Sequence, residues 1–427
     1  MSLRSIPKFD LAKFDLAKYP ALKPGVNFFK VAGHDCSGIY IGFSNRGIEL
    51  NFEIAFELLR LFDGSHSLKK IISMISAISE ISEIEVEEGR NLEESIFQIS
   101  KILQLLSDAR LIEFRTSPLP GKLPNKDLLP VNLVNSLKRM RAEANLYSWH
   151  PQIENGMSAE TLISKRRYFS IMIYGRNRLA LSLFTVLQAS GFSLIKLTDR
   201  AYSASANSKA QIEPDEVCGL AIRGSDVGLQ KALVLADLAR NSQLFPLESL
   251  VFPELPDLII STESIPQETM QSWMSENIVH LPISNIIEEK IIIGPIVIPG
   301  KTPCLNCLNL WRADQFPHQS SFEILAALDS GEGKGLELPS AQVALLTGLI
   351  TTQVIQFLQS NQSNQSNQSN KNCTSVDSKI SDGSVKLIGA TLAINLFDPL
   401  DSISSSDETF GYRYWQPHIS CGCQRLI

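Results

Sequence analysis

Four cysteines carry the clearest chemistry in this chain of 427 residues. Cys304 and Cys307 lie in "KTPCLNCLNLWRADQFP", and Cys421 and Cys423 lie in "RYWQPHISCGC". A C-x-x-C alone is a redox pair, half of a metal site, or two buried thiols. A thioredoxin-like motif should open a helix after a strand in a small domain, and here a second pair competes with that reading. Two chelating pairs far apart in sequence are what a tetrahedral zinc site needs. Each offers adjacent thiolates on a tight turn, and closing the site pins the chain end to the domain body. Gly422 lets the backbone fold around an ion. His418 is a spare ligand that a four-cysteine set does not require. With four protein ligands no coordination position stays open, so the expected zinc is structural and not catalytic. Cys36, Cys218 and Cys373 stand apart, in no motif that would make any of them a thioester nucleophile.

The second candidate region is "RYFSIMIYGRNRLALSLFTVLQASGFSLIKLTD". A buried strand, a Gly turn, a helix ending at Gly191 and a second strand ending at Asp199 make a Rossmann-type βαβ start. The turn of such a unit reads G-x-G-x-x-G or A. Here Gly175 supplies the first glycine and Ala180 the last position, but Asn177 stands in the middle, where phosphate approaches the backbone. Asp199 is placed to accept ribose hydroxyls, and equally reads as a solvated strand end. No Ser/His/Asp set and no second carboxylate pair offers other chemistry.

These sites need elements to position them. Residues 1–32 read as a mobile leader with FDLAK repeated in tandem. Residues 33–115 read as a winged-helix-like α+β unit: a hairpin in "SGIYIGFS" and "RGIELNF", helices in "FEIAFELLRLF", "SHSLKKIISMI" and "NLEESIFQISKILQLLSDA", and a closing strand in "RLIEF". Residues 116–165 are a Pro-rich linker and a connecting helix, and 166–427 form the Rossmann-type domain. Within it, "SAQVALLTGLITTQVIQFLQ" is a helix, and the polar "SNQ" repeats put a disordered loop at 360–384. The fold class is therefore α/β, with an α+β module in front and a zinc-bound segment at the C-terminal end.

Composition narrows the function classes. Hydrophobic residues make up 44% and charged residues 20%, an ordinary globular mix. No apolar run reaches the ~18 residues of a membrane span, and no secretory h-region opens the chain. The expectation is a cytoplasmic protein with no membrane partner, where thiols stay reduced and clustered cysteines favour metal. The net charge of −6 argues against nucleic acid. Residues 33–115 alone carry 8 Lys and Arg against 14 Asp and Glu. A winged helix of that charge suits a basic peptide better than DNA. Such a peptide would add as a strand beside the third helix, with Ile48, Leu50, Ile96, Ile99 and Leu103 as contact candidates. For each of them the alternative is plain core.

A family resemblance rests on particular motifs. "GPIVIPGKTPCLNCLNL" with the distant "WQPHISCGC" resembles the ThiF-like proteins associated with cyclodehydratases in thiazole/oxazole-modified microcin clusters. The segments "LLRLFDGSHSL" and "LLSDARLIEF" resemble the PqqD-like peptide-recognition domain often fused to them, so the likeness spans about residues 33–427. The resemblance implies a protein that binds the leader of a ribosomal precursor peptide beside a YcaO-type cyclodehydratase, which uses ATP to form azolines. It also implies descent from adenylating enzymes. This chain departs from those enzymes at Asn177, at "RAYSASANSKAQ", which lacks their Ser-Asn-Leu-Asn-Arg-Gln run, and at Thr262-Glu263-Ser264, where they carry an aspartate for the metal. The expectation is thus a non-catalytic scaffold with a vestigial nucleotide site at Gly175 and Asp199 and no bound ATP; a homodimer is possible. The rival is an ATP-dependent adenylating enzyme acting on a peptide or a small ubiquitin-like protein. A winged-helix transcriptional regulator is disfavoured by the acidic balance.

Overall fold

The computed structural model describes residues 14–31, 38–115, 159–198, 211–245, 250–315, 338–367, 385–399 and 411–425, apart from positions 53, 82–87, 176, 285 and 287–288, together with scattered residues between 118 and 149. The chain divides between Ser164 and Lys165 into two compact units.

The first unit runs β1 (Tyr19–Leu22), β2 (Asn27–Val31), β3 (Gly38–Phe43), β4 (Arg46–Leu50), α1 (Ala55–Leu61), α2 (Leu68–Ile81), α3 (Glu88–Asp108) and β5 (Ile112–Arg115). β2, β3 and β4 form an antiparallel meander, and β1 pairs antiparallel with β5. Alternation decides which face is buried: Ile39 and Ile41 of β3 and Leu50 of β4 point into the core. Against them lies one stripe of α3, in which Ile99, Ile102, Leu103 and Leu106 recur at helical spacing and are all buried. Leu58 and Leu59 of α1 and Ile71 of α2 complete the cluster.

Two boundaries differ from the sequence reading. Residues 19–31 are not part of a leader: β1 closes against β5, with Leu22 opposite Ile112, and β2 forms one edge of the meander. A strand is fixed by its partner, and the partner of "YPAL" lies some 90 residues on, out of reach of local pattern. The expected loop at 360–384 differs over its first residues, because the helix that precedes it runs to Asn367. Once a helix is packed, each further residue adds a bond to an existing nucleus, and Ser, Asn and Gln do not forbid this. Residues 368–384 lie outside the described residues.

The second unit begins within α4 (Ala159–Arg166) and continues β6 (Ser170–Tyr174), α5 (Arg178–Ala189), β7 (Leu194–Thr198), α6 (Lys231–Ser242), β8 (Leu258–Ser261), α7 (Gln267–Ser275) and β9 (His280–Pro282). The four strands make a parallel sheet ordered β7-β6-β8-β9. Every residue of β8 is buried, as in a parallel strand covered on both faces. The order reverses at β6, whose successor β7 lies on one side and β8 on the other. That reversal opens a crevice at the strands' C-terminal ends. The chain then forms β10 (Lys290–Ile293), α8 (Leu305–Gln315), α9 (Ser340–Asn367), β11 (Ala390–Asn395) and β12 (Gly411–Tyr414), with β10-β11-β12 an antiparallel sheet. Bridges between His280 and Val297 and between Ile283 and Ile293 tie β9 to this part of the chain. Within α9, Ser340–Ser360 is long and apolar enough by length and composition to cross a membrane. Val343, Leu346, Ile350 and Val354 are fully buried, and α9 packs along α5, as a core helix does.

Candidate functional site

The four cysteines converge. Cys304 precedes α8, and Cys307 sits in its first turn, three residues on and on the same side of the helix. The chain end brings the other pair: the Cys421 amide donates to the His418 carbonyl at 2.9 Å, and Cys423 lies in the short 3₁₀ turn Gly422–Arg425. The Sγ atoms of Cys304 and Cys307 are 3.8 Å apart, those of Cys304 and Cys421 3.6 Å, and those of Cys307 and Cys423 3.4 Å. All four lie within 4.8 Å of one another, and none is in a disulfide. Zinc–sulfur bonds of ~2.3 Å in a tetrahedron set the sulfurs ~3.8 Å apart. The cluster has the size and the donors of such a site.

Electrostatics point the same way. Burial pushes the Cys304 thiol far above its ordinary range. Burial and the Cys307 thiol raise Cys423 to about 11. At Cys421 burial also pulls upward, but hydrogen bonds from the Asn306 amide, the Cys423 backbone and the neighbouring thiols outweigh it and bring the group to about 7. Thiols packed this closely resist becoming thiolates together, and a divalent cation among them removes that resistance.

His418 is not a ligand. Its Nδ1 accepts from the Ser420 amide at 3.1 Å, so Nε2 carries the proton and donates to Asp314 Oδ2 at 2.9 Å. The ring stands edge-on to Trp311, 4.8 Å between centroids, and Trp311 Nε1 donates to the Gln416 carbonyl at 2.8 Å. Cys307, Trp311 and Asp314 thus occupy one face of α8 and clasp the returning tail. The sequence reading missed Trp311, Asp314 and Asn306. For Trp311 and Asp314 the only signal was their spacing from Cys307 along a helix; Asn306, adjacent to Cys307, carried none.

The crevice is built differently. Gly175 ends β6 with φ of +137°, and a Cβ there would stand 2.2 Å from Thr262 Oγ1 at the end of β8. The glycine is therefore required by the fold itself, with or without a nucleotide. Asn177 caps α5: its Oδ1 accepts from the Ala180 amide at 2.9 Å, and its Nδ2 donates to the Thr262 carbonyl at 2.8 Å. A phosphate at a helix N-terminus binds through such free amides. Here a side chain already occupies one of them and bridges to β8 across the crevice. Arg178 is committed as well, donating from Nε to the Asp215 carbonyl and from Nη1 to Leu338. Asp199 lies outside the described residues.

In the first unit the peptide-contact candidates separate. Leu50, Ile99 and Leu103 are at most 1% exposed and fill the core, so their side chains offer no contact surface. Ile48 is partly buried and packs against that core, and Ile96 is half-buried. Among the described strands, the outer edges of β2 and β4 have no neighbour.

No family model matches the sequence. No curated protein matches it either. Solved structures do. Escherichia coli MccB with MccA-N7isoASN has a TM-score of 0.50 at 12% identity, over 95% of this chain and 99% of that one. The same protein with succinimide gives 0.49 at 13% identity over the same shares. The heterocyclase TruD gives 0.46 at 13% identity, over 90% of this chain and 40% of its own. At such identities the likeness concerns the fold: this chain shares the MccB architecture over nearly its whole length, with a cluster of four cysteines compatible with a metal ion.

Proposed function

We propose that this protein is a non-catalytic recognition subunit of a peptide-modification pathway. It captures the leader of a ribosomal precursor and presents the core to a YcaO-type cyclodehydratase for azoline and azole formation. The observation that carries the non-catalytic part is Asn177, whose side chain takes the Ala180 amide that a phosphate would use. The fold shared with MccB, whose structure includes MccA-N7isoASN, supports a peptide as the ligand.

Capture would work by strand addition. The first unit, read as winged-helix-like, keeps the β2 and β4 edges without a partner among the described strands. Backbone groups along an edge supply affinity, and apolar side chains of the peptide fill alternate pockets, with Ile48 and Ile96 within the candidate surface. The acidic balance of residues 33–115 suits a basic leader, whose association slows as salt screens it. The second unit supplies the scaffold. Cys304, Cys307, Cys421 and Cys423 would hold a structural zinc, which contributes folding energy and leaves no open position for chemistry.

The test uses the full chain. A labelled precursor peptide, encoded beside the gene, is titrated against it, with ATP–pyrophosphate exchange followed in parallel. The expected result is saturable binding, competed by the leader segment alone, weakened by Glu49→Lys on β4, and no exchange. Peptide-dependent exchange by the isolated chain would establish the rival adenylating enzyme instead.

A further inference from the structure

The four sulfurs are unequal. Cys304, Cys307 and Cys423 are buried, whereas Cys421 is partly exposed. The partly exposed Cys421 also receives a hydrogen bond from a side chain outside the cysteine set. Asn306, the second variable residue of the C-x-x-C, donates from Nδ2 to Cys421 Sγ at 3.4 Å. This is a contact between the helix bearing one pair and the turn bearing the other. Asn306 is itself exposed, so packing does not explain its position.

We propose that Cys421 is the point at which electrophiles and competing ligands enter the metal site, and that Asn306 guards it. The inference rests on the zinc reading above. A hydrogen bond donated to a metal-bound thiolate draws on the lone pair an electrophile would attack, and so lowers the sulfur's nucleophilicity while leaving it a ligand. The buried sulfurs are protected by exclusion of reagent. Cys421 is protected by that bond. With an alkylating probe such as iodoacetamide, the Cys421 lone pair forms the S–C bond as the C–I bond breaks and iodide leaves. The thioether that results is a poor zinc ligand, so the metal is left on three thiolates and the tail on its His418 and Trp311 contacts.

The experiment takes zinc-loaded full-length protein with limiting iodoacetamide. Modified positions are mapped by peptide mass, which separates the four ligands from Cys36, Cys218 and Cys373, and released zinc is followed with a chromophoric chelator. Cys421 should be labelled before the other three ligands, with zinc release following. Asn306→Ala should raise its rate about tenfold, the scale of a hydrogen bond to a charged group. Asn306→Gln should recover part of the protection, and Asn309→Ala, exposed on the same helix, should change nothing. If Asn306→Ala sheds zinc during purification while Asn309→Ala retains it, the guard role stands. Simultaneous labelling of all four ligands, or an unchanged rate in Asn306→Ala, overturns the proposal with the zinc reading intact. Protein isolated under reducing, chelator-free conditions without zinc overturns both.

Discussion

The cysteine cluster and the crevice at the start of α5 lie in the same unit and have opposite fates. At the cluster, donor atoms from two distant segments converge on a space the size of an ion, and the surrounding side chains hold the backbone so that the donors stay turned inward. At the crevice Gly175 stands at the strand end with α5 behind it, and the Ala180 amide is taken by the protein's own Asn177. A glycine turn before a helix can be held in place by the fold's own packing and hydrogen bonds. Whether a site is open depends on which polar atoms are already satisfied.

The largest expected effect tests the convergent site. Cys307→Ser, or prolonged chelation, should remove about one zinc per chain and destabilise the second unit by more than about 4 kcal/mol, as loss of a structural metal does. Elemental analysis alongside thermal unfolding checks this. Unchanged stability in the metal-free protein would erase the contrast between the two sites.

The crevice should prove structural in its own right. Gly175→Ala places a Cβ against Thr262 at a positive φ, and should cost about 2 kcal/mol in urea unfolding even though no ligand is involved.

An intermediate effect concerns His280, buried in β9 beside Trp273 with Nδ1 bonded to the Ile278 carbonyl. Burial lowers its pKa from 6.5, against a smaller upward pull from that carbonyl. The unfolded chain accepts the proton more readily than the folded one. Stability from this group is therefore complete above the unfolded value of about 6.5 and is lost as pH falls below it, at up to about 1.4 kcal/mol per pH unit. Comparing His280→Leu with the parent at about pH 7 and pH 5 isolates this slope from acid effects on the cysteines.

The smallest change carries the most information. Asn177→Gly replaces one acceptable cap by another but gives up the bond to the Thr262 carbonyl, and should cost about 1 kcal/mol. It frees the Ala180 amide, so inorganic tripolyphosphate should raise the melting temperature of the variant and leave that of the parent unchanged. A shift in the parent would mean that the crevice is open after all.

Much of this was legible in sequence. Period-two alternation marked β3 and β4, and helical spacing of Ile99, Leu103 and Leu106 marked α3, because burial of one face imposes a local rhythm. The apolar run of β6 and the glycine turn after it marked the βαβ start. The cysteine pairs were visible because chelation demands short spacing within each pair. Periodicity could not say whether Leu50, Ile99 and Leu103 face a ligand or the core, since both uses call for the same residues at the same spacing. The strand at 19–22 and the clasp of His418 by Asp314 and Trp311 depended on partners roughly 90 and 100 residues away, which no local pattern encodes. Sequence determined that Asn177 replaces a glycine. Only the tertiary structure decided what the replacement does, because the hydrogen bonds to Ala180 and Thr262 exist only once β8 lies beside β6 and brings the Thr262 carbonyl to the start of α5.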